Sequence, residues 1–145
     1  MTRINTVPPS ILTDQHLLGE YNEVRRPVNL AIKFYEKHGE KGLEHIPPSY
    51  RLRSGHVKFF YDKLQYIHRR FDMICDEMRN RGFQVNTGFD RDRVPDRLYN
   101  DWEPNDEAIE ILKGRLRERL ISETNLRYYR QHIDTLMYLN SILES

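Results

Sequence analysis

An apolar stripe with helical spacing runs through the middle of the chain and constrains the fold more than any other feature. In residues 54–82, SGHVKFFYDKLQYIHRRFDMICDEMRNRG, large apolar side chains recur every three or four positions at Phe60, Leu64, Ile67, Phe71, Ile74 and Met78. This period is typical of an amphipathic α-helix whose apolar face packs on a core. Ser54 is a suitable N-cap and Gly82 a suitable C-terminal stop, so we predict one helix between them.

Two further segments have the same spacing. In residues 10–39 one helix face carries Leu17, Leu18, Tyr21 and Val24, and Pro27 is expected to bend or interrupt the helix before Gly39 ends it. In residues 104–123, Asn105 is a plausible N-cap, and the apolar stripe consists of Ile109, Leu112, Leu116 and Leu120. We therefore predict three long helices.

The remaining segments read as connections and a tail. Residues 38–55 and 82–104 are rich in turn-forming residues and are predicted to be long, ordered loops, whereas residues 125–143 are predicted to be helical. No segment alternates as a strand would. The expected fold is all-α: a single compact domain, residues 1–145, of three long helices with long ordered loops and a C-terminal tail helix.

The composition is typical of a globular protein from a reducing compartment. At 145 residues, with 38% hydrophobic and 11% aromatic residues, the chain can bury roughly two-thirds of its unfolded surface. The start MTRINTVPPS is polar and no apolar run is long enough to span a bilayer, so no membrane association is expected. The single Cys75 and six scattered His residues predict neither a disulfide nor a metal site. A cytoplasmic protein without cofactors is expected.

Charge is segregated along the chain although the net charge is only +1. Residues 96–110 hold six carboxylates and one Arg, whereas residues 113–130 hold six basic residues and two acidic ones. Such segregation can build the positive face that a nucleic-acid-binding protein needs. Solvated helix faces would have the same pattern, and charge by itself favours that interpretation.

The N-terminus carries a candidate nucleophile. A small second residue such as Thr2 normally permits removal of the initiator Met, which would leave Thr2 with a free α-amine. An α-amine has a pKa of about 7.7 to 8.0 against about 10.4 for Lys, so its free base is roughly two to three hundred times more abundant at neutral pH. It can attack a sugar C1′ and form a Schiff base. Glu23 is a candidate base for the subsequent elimination.

Several sequence blocks resemble one known family. They are MTRIN at residues 1–5, TDQHLLGEYNE at 13–23 followed by Arg26, GHVKFFYDK at 55–63, RGF at 81–83, the helix led by Pro104, and RYY at 127–129. Together they resemble the pyrimidine-dimer DNA glycosylase, or phage endonuclease V, family at nearly unchanged spacing.

This resemblance implies a mechanism and a set of site residues. The α-amine of Thr2 would displace the base and form a covalent imine with the sugar, and Glu23 would assist the proton transfers that break the strand by β-elimination. No metal would be needed. The positions that would contact DNA or shape the site are Arg3, His16, Arg26, His56, Arg115 and Arg119. The last two are four residues apart, so one helix face would present both to the phosphate backbone.

Some of these positions have a second interpretation. His16 and His56 could be ordinary buried histidines, and Arg115 and Arg119 could be surface charges. Arg127, Tyr128 and Tyr129 fit either stacking and phosphate contact or coverage of the core.

The sequence also departs from the family pattern. Asn22 stands beside Glu23 where the family enzyme has Arg, and Pro27 lies two residues later, so Arg25 is a candidate substitute for Arg26. The tail lacks the family's Trp, which leaves the lesion preference open, and residues 133–145 extend beyond the tail we recognise.

The predicted function is DNA repair. The protein is expected to excise cyclobutane pyrimidine dimers from duplex DNA and to nick the abasic site, as a monomer associated with the nucleoid of a bacterial or phage-infected cell. The alternatives are a non-catalytic DNA-binding or DNA-bending relative, and the same chemistry on another base lesion. Keeping Thr2 and Glu23 together favours the enzyme.

Overall fold

Four α-helices of ten residues or more form the framework of the molecule in a computed structural model that describes residues 2–50 and 55–144. The elements are α1 (Asp14–Glu23), α2 (Arg26–Gly42), α3 (Leu64–Asn80), α4 (Asp106–Ile121), β1 (Arg127–Tyr128), β2 (Gln131–His132), α5 (Thr135–Tyr138) and a π-helical turn, Leu139–Leu143. The two strands form a short antiparallel hairpin. The predicted all-α class is confirmed. Among the helices described, none is both long and apolar enough to cross a membrane.

Helix α3 is the centre of the core, but it begins later than the sequence suggests. The described part of the predicted helix starts with a 3₁₀ turn, Lys58–Asp62, and the α-helix begins at Leu64 because Lys63 has non-helical angles, φ −125° and ψ 41°. The predicted cap Ser54 lies outside the described residues. The predicted end is confirmed: Gly82 has a φ of 84°, and the N–H of Phe83 donates to the carbonyl of Met78 at 2.8 Å, as in a Schellman motif.

The first predicted helix is two helices. Helix α1 ends at Glu23, and α2 begins at Arg26 with Pro27 in its first turn. A helix's first turn has no intrahelical use for the N–H that proline lacks, so Pro27 starts α2 and does not bend α1. Gly39, with a φ of 62°, ends the regular part of α2.

The prediction of a continuous helix over residues 125–143 is wrong in its first half. Tyr129 and Arg130 form the hairpin turn with φ of 51° and 67°, the left-handed conformation that tight hairpins require. Tertiary hydrogen bonds hold the turn: the N–H of Arg130 donates to Asp14 Oδ2, and the Tyr129 hydroxyl donates to Glu77 Oε2, both at 2.7 Å. These contacts override local helix propensity. The helical part begins only at Thr135, where Asp134 provides the N-cap.

A buried ion pair fastens the extended N-terminal segment to α1 and α3. Glu20 is fully buried and accepts hydrogen bonds from Arg70 Nε at 2.7 Å and Nη2 at 3.0 Å. The same carboxylate accepts from the backbone N–H and side-chain amide of Asn5, at 3.2 and 2.8 Å. Arg70 also donates to the carbonyl of Val7 at 2.6 Å. The segment that carries Thr2 is therefore held by charge as well as by apolar packing.

We expect Glu20→Gln to lower the free energy of unfolding by about 3 kcal/mol, because it leaves the buried Arg70 without its counter-charge. Denaturant titration measures the effect. Asp76→Asn is the control, since its partner Arg79 is exposed and the pair is 3.2 Å apart; the expected loss is below about 1 kcal/mol. Equal losses in the two variants would contradict the assigned role of Glu20.

Candidate active site

The backbone of Thr2 is held in place by a chain of hydrogen bonds from the loop before α3. Thr2 is buried, and its carbonyl accepts from His56 Nε2 at 2.8 Å. A carbonyl can only accept, so Nε2 carries the proton, and His56 Nδ1 accepts from the Tyr50 hydroxyl at 2.6 Å. Burial lowers the pKa of His56 and raises that of Tyr50. Both groups are therefore neutral near pH 7. Tyr50 was not among the predicted site residues.

Glu23, the last residue of α1, lies against the peptide that follows Thr2. Its Oε1 accepts from the backbone N–H of Arg3 at 3.1 Å, and its Oε2 accepts from Arg3 Nη1 at 2.8 Å. Arg26 Nη1 lies 3.6 Å from Oε1. The side chain of Glu23 is 15% exposed, so it is accessible while both oxygens are held. The structure thus brings together Thr2 and Glu23, which are far apart in sequence.

Arg25 does not take the place of Arg26 beside Glu23. Its Nη1 donates to the carbonyl of Gly88 at 3.0 Å, and its guanidinium lies 4.5 Å from the centre of the Phe71 ring. These contacts fasten the 82–104 loop to the core. Arg26, by contrast, is exposed on the side of Glu23.

Arg115 and Arg119 of helix α4 line the site together with the N-terminal segment. A small pocket beside the N-terminal segment is lined by Thr2, Arg3, Ile4, Asn5, His16, His56, Leu112, Arg115, Leu116 and Arg119. A more open cleft, called here the Glu23 cleft, is lined by Arg3, Glu23, Arg26, Arg119, Ser122 and Glu123. Burial and the nearby charges of Arg115 and Arg3 lower the pKa of Arg119. The cations are thus close enough to act together on an anion.

His16 holds a second carboxylate at the Glu23 cleft. It is buried in α1, and its Nε2 contacts both oxygens of Glu123, at 3.0 and 3.1 Å. Burial lowers the pKa of His16, so the neutral ring donates through Nε2. Glu123, just beyond α4, was not predicted as a site residue. Its partner is 107 residues away in sequence, and no local pattern identifies it.

One face of α1 is polar and lies under the N-terminal segment. His16, Glu20 and Glu23 are spaced by four and three residues and therefore share this face. Leu17, on the adjacent flank of α1, and Val24, the C-cap residue, are buried in the core. The helical spacing of these three polar residues was the available sequence signal.

The predicted tail residues lie away from the two lining sets described above. The Tyr128 hydroxyl donates to the carbonyl of Ser10 at 2.7 Å, and Tyr129 donates to Glu77. The guanidinium of Arg81 lies 5.1 and 4.4 Å from the centres of the two tyrosine rings. Arg127 lines a separate surface depression together with Asp14, Gln15, Leu18, Phe83 and Arg130. In this structure Tyr128 packs against the core, whereas Tyr129 is 42% exposed and braces the hairpin turn through Glu77.

Comparison with known families identifies the chain. A family model described as pyrimidine dimer DNA glycosylase matches residues 1–91, well over half of the sequence. The chain belongs to the pyrimidine dimer DNA glycosylase family. The glycosylase therefore acts on DNA and belongs to DNA repair. The matched region contains Thr2, His16, Glu23 and His56, whereas α4 and the tail lie outside it. In the described ranges no three His, Cys, Asp or Glu side chains are grouped as metal ligands would be.

Proposed function

We propose that the protein excises cyclobutane pyrimidine dimers from duplex DNA and then nicks the resulting abasic site. The observation that carries the proposal is the contact of the Glu23 carboxylate with the Arg3 N–H at 3.1 Å, directly beside Thr2. Removal of Met1, which lies outside the described residues, would free an α-amine next to this carboxylate. A nucleophile with an adjacent base is the arrangement that covalent catalysis needs.

In the first step the Thr2 amine attacks C1′ of the damaged nucleotide. The C1′–N bond to the pyrimidine breaks, the base leaves with the bonding electrons, and the amine loses a proton. Opening of the sugar ring then gives an imine between C1′ and the Thr2 nitrogen. Glu23 is in place to accept and return these protons.

In the second step the imine allows β-elimination. Glu23 removes a proton from C2′, the electron pair moves to form a C2′–C3′ double bond, and the C3′–O bond breaks with the phosphate as leaving group. The protonated imine stabilises the electrons released at C2′. Hydrolysis of the imine would then release the enzyme.

The arginines that line the site explain how a nearly neutral protein would bind the polyanion DNA. Arg3, Arg26 and Arg119 line the Glu23 cleft, and Arg115 lines the adjoining pocket. Phosphate contacts of this kind position the strand and leave recognition to the lesion, which is easier to open than an intact base pair. We propose that the protein binds DNA as a monomer through this face.

Borohydride reduction tests the proposal. We expect a covalent protein–DNA adduct with duplexes that carry one pyrimidine dimer or one abasic site, because reduction converts the imine into a stable amine. Undamaged duplex of the same sequence is the control. Intact mass spectrometry identifies the adduct and shows whether Met1 is absent. Specific binding of the damaged duplex without any trapped species would contradict catalysis and support a non-catalytic DNA-binding relative.

A further inference from the structure

Gly19, in the middle of α1, leaves space that the side chain of Arg3 occupies. A Cβ atom at Gly19 would lie 2.8 Å from Arg3 Cζ and closer still to Arg3 Nη1. Real Cβ atoms do not approach other heavy atoms so closely. The guanidinium of Arg3 therefore rests directly on the backbone of α1, where any other residue would displace it.

The backbone of Gly19 does not itself require glycine. The glycines with positive φ in the described ranges are Gly39 and Gly82, and Gly19 has ordinary helical geometry. Alanine is more stable than glycine at such a position, because glycine loses more conformational freedom on folding. Helix stability would favour alanine here, so the glycine needs another explanation.

The space above Gly19 allows the side chain of Arg3 to reach Glu23. Gly19 and Glu23 are one helical turn apart on the same face of α1, and Arg3 crosses Gly19 to donate from Nη1 to Glu23 Oε2 at 2.8 Å. The backbone N–H of Arg3 holds Oε1 at the same time. Arg3 thus holds both carboxylate oxygens. This path leaves the Nε of Arg3 buried without a hydrogen-bond partner, which is unfavourable for stability.

We propose that Gly19 is a positioning residue for the reaction: its missing side chain allows Arg3 to orient the Glu23 carboxylate beside Thr2. The catalytic part of this inference rests on the proposed function of Glu23. A methyl group at position 19 would push the far end of a flexible side chain aside, at little cost to the fold. Arg3 would stay in the cleft as a cation, but Glu23 would lose the contact that orients Oε2.

The test compares Gly19→Ala with Gly114→Ala. Gly114 is also inside a helix, and a Cβ there meets no atom within 4 Å. We expect both variants to unfold at the same temperature as the parent protein or a higher one, and to bind damaged duplex within about twofold. Single-turnover cleavage should fall at least about tenfold in Gly19→Ala and stay unchanged in Gly114→Ala, because small misplacement of a catalytic group is costly.

A double-mutant cycle separates positioning from a general structural effect. If Gly19 acts through Arg3, Gly19→Ala should have no further effect on cleavage in an Arg3→Ala background. A similar loss in both backgrounds, or an unchanged rate in Gly19→Ala, would overturn the inference.

A measurement without DNA keeps the inference separate from the proposed function. The carboxyl ¹³C resonance of Glu23 should move in Gly19→Ala in the same direction as in Arg3→Ala, and stay in place in Gly114→Ala. An unmoved resonance would refute the positioning contact even if the parent enzyme cleaves DNA. A moved resonance in a protein that forms no trapped adduct would refute the proposed function and leave the contact established.

Discussion

Glu23→Gln is expected to lower strand cleavage about 10³-fold while leaving the affinity for dimer-containing duplex within about threefold. The amide can still accept the N–H of Arg3, but it cannot take a proton from the sugar. Binding should persist because the cations of the Glu23 cleft are unchanged. Single-turnover cleavage and fluorescence anisotropy on the same duplex measure the two quantities separately.

The matched control is Glu40→Gln. Glu40 is another helical carboxylate, paired with Arg97 at 3.1 Å and hydrogen-bonded by Tyr35, and none of its contacts involves the Glu23 cleft. Cleavage and binding by this variant should equal those of the parent. A loss of binding that matches the loss of cleavage in Glu23→Gln would show that Glu23 supports the cleft and does not act in proton transfer.

Protein that retains Met1 is expected to form no borohydride-trapped adduct and to lose at least about 10³-fold in cleavage, because its Thr2 nitrogen is an amide and not an amine. The retained and processed forms differ by one methionine in intact mass, so each preparation can be assigned before the assay. Folding should be the same in both forms, since the contacts of the Thr2 carbonyl and the Arg3 N–H do not depend on a free terminus.

Thr2→Ala is the control for this second experiment. It removes the hydroxyl but keeps a small second residue and hence the free α-amine. Activity close to that of the parent would assign the reaction to the backbone nitrogen. Equal activity of the Met1-retaining and processed forms would refute the assignment and direct attention to a lysine.

The sequence predicts much of the fold because helices have a local signature. The stripe from Leu64 to Met78 identified α3, and Asn105 was correctly read as the N-cap of α4, where it accepts from the N–H of Ala108 at 2.8 Å. Gly82 was correctly read as a stop. Each of these features depends on residues within one or two turns, which is the range over which periodicity and capping operate.

The errors lie where distant contacts outweigh local preference. The predicted interruption near Pro27 is confirmed, but only the structure shows that it leaves two separate helices with Pro27 in the first turn of the second. The tail hairpin exists because Asp14 and Glu77, both far away in sequence, bind the turn at Tyr129 and Arg130. Residues 125–134 contain no local signal strong enough to predict it.

The sequence alone determined the helical class and the family, and it singled out Thr2 and Glu23 as the candidate catalytic pair. Only the tertiary structure decided how the site is held. It shows that Arg26 and not Arg25 approaches Glu23, that His16 holds Glu123, and that Gly19 makes room for Arg3. The physical reason is that helical periodicity is local, whereas a buried polar group is satisfied by whichever partner the fold brings within hydrogen-bond distance.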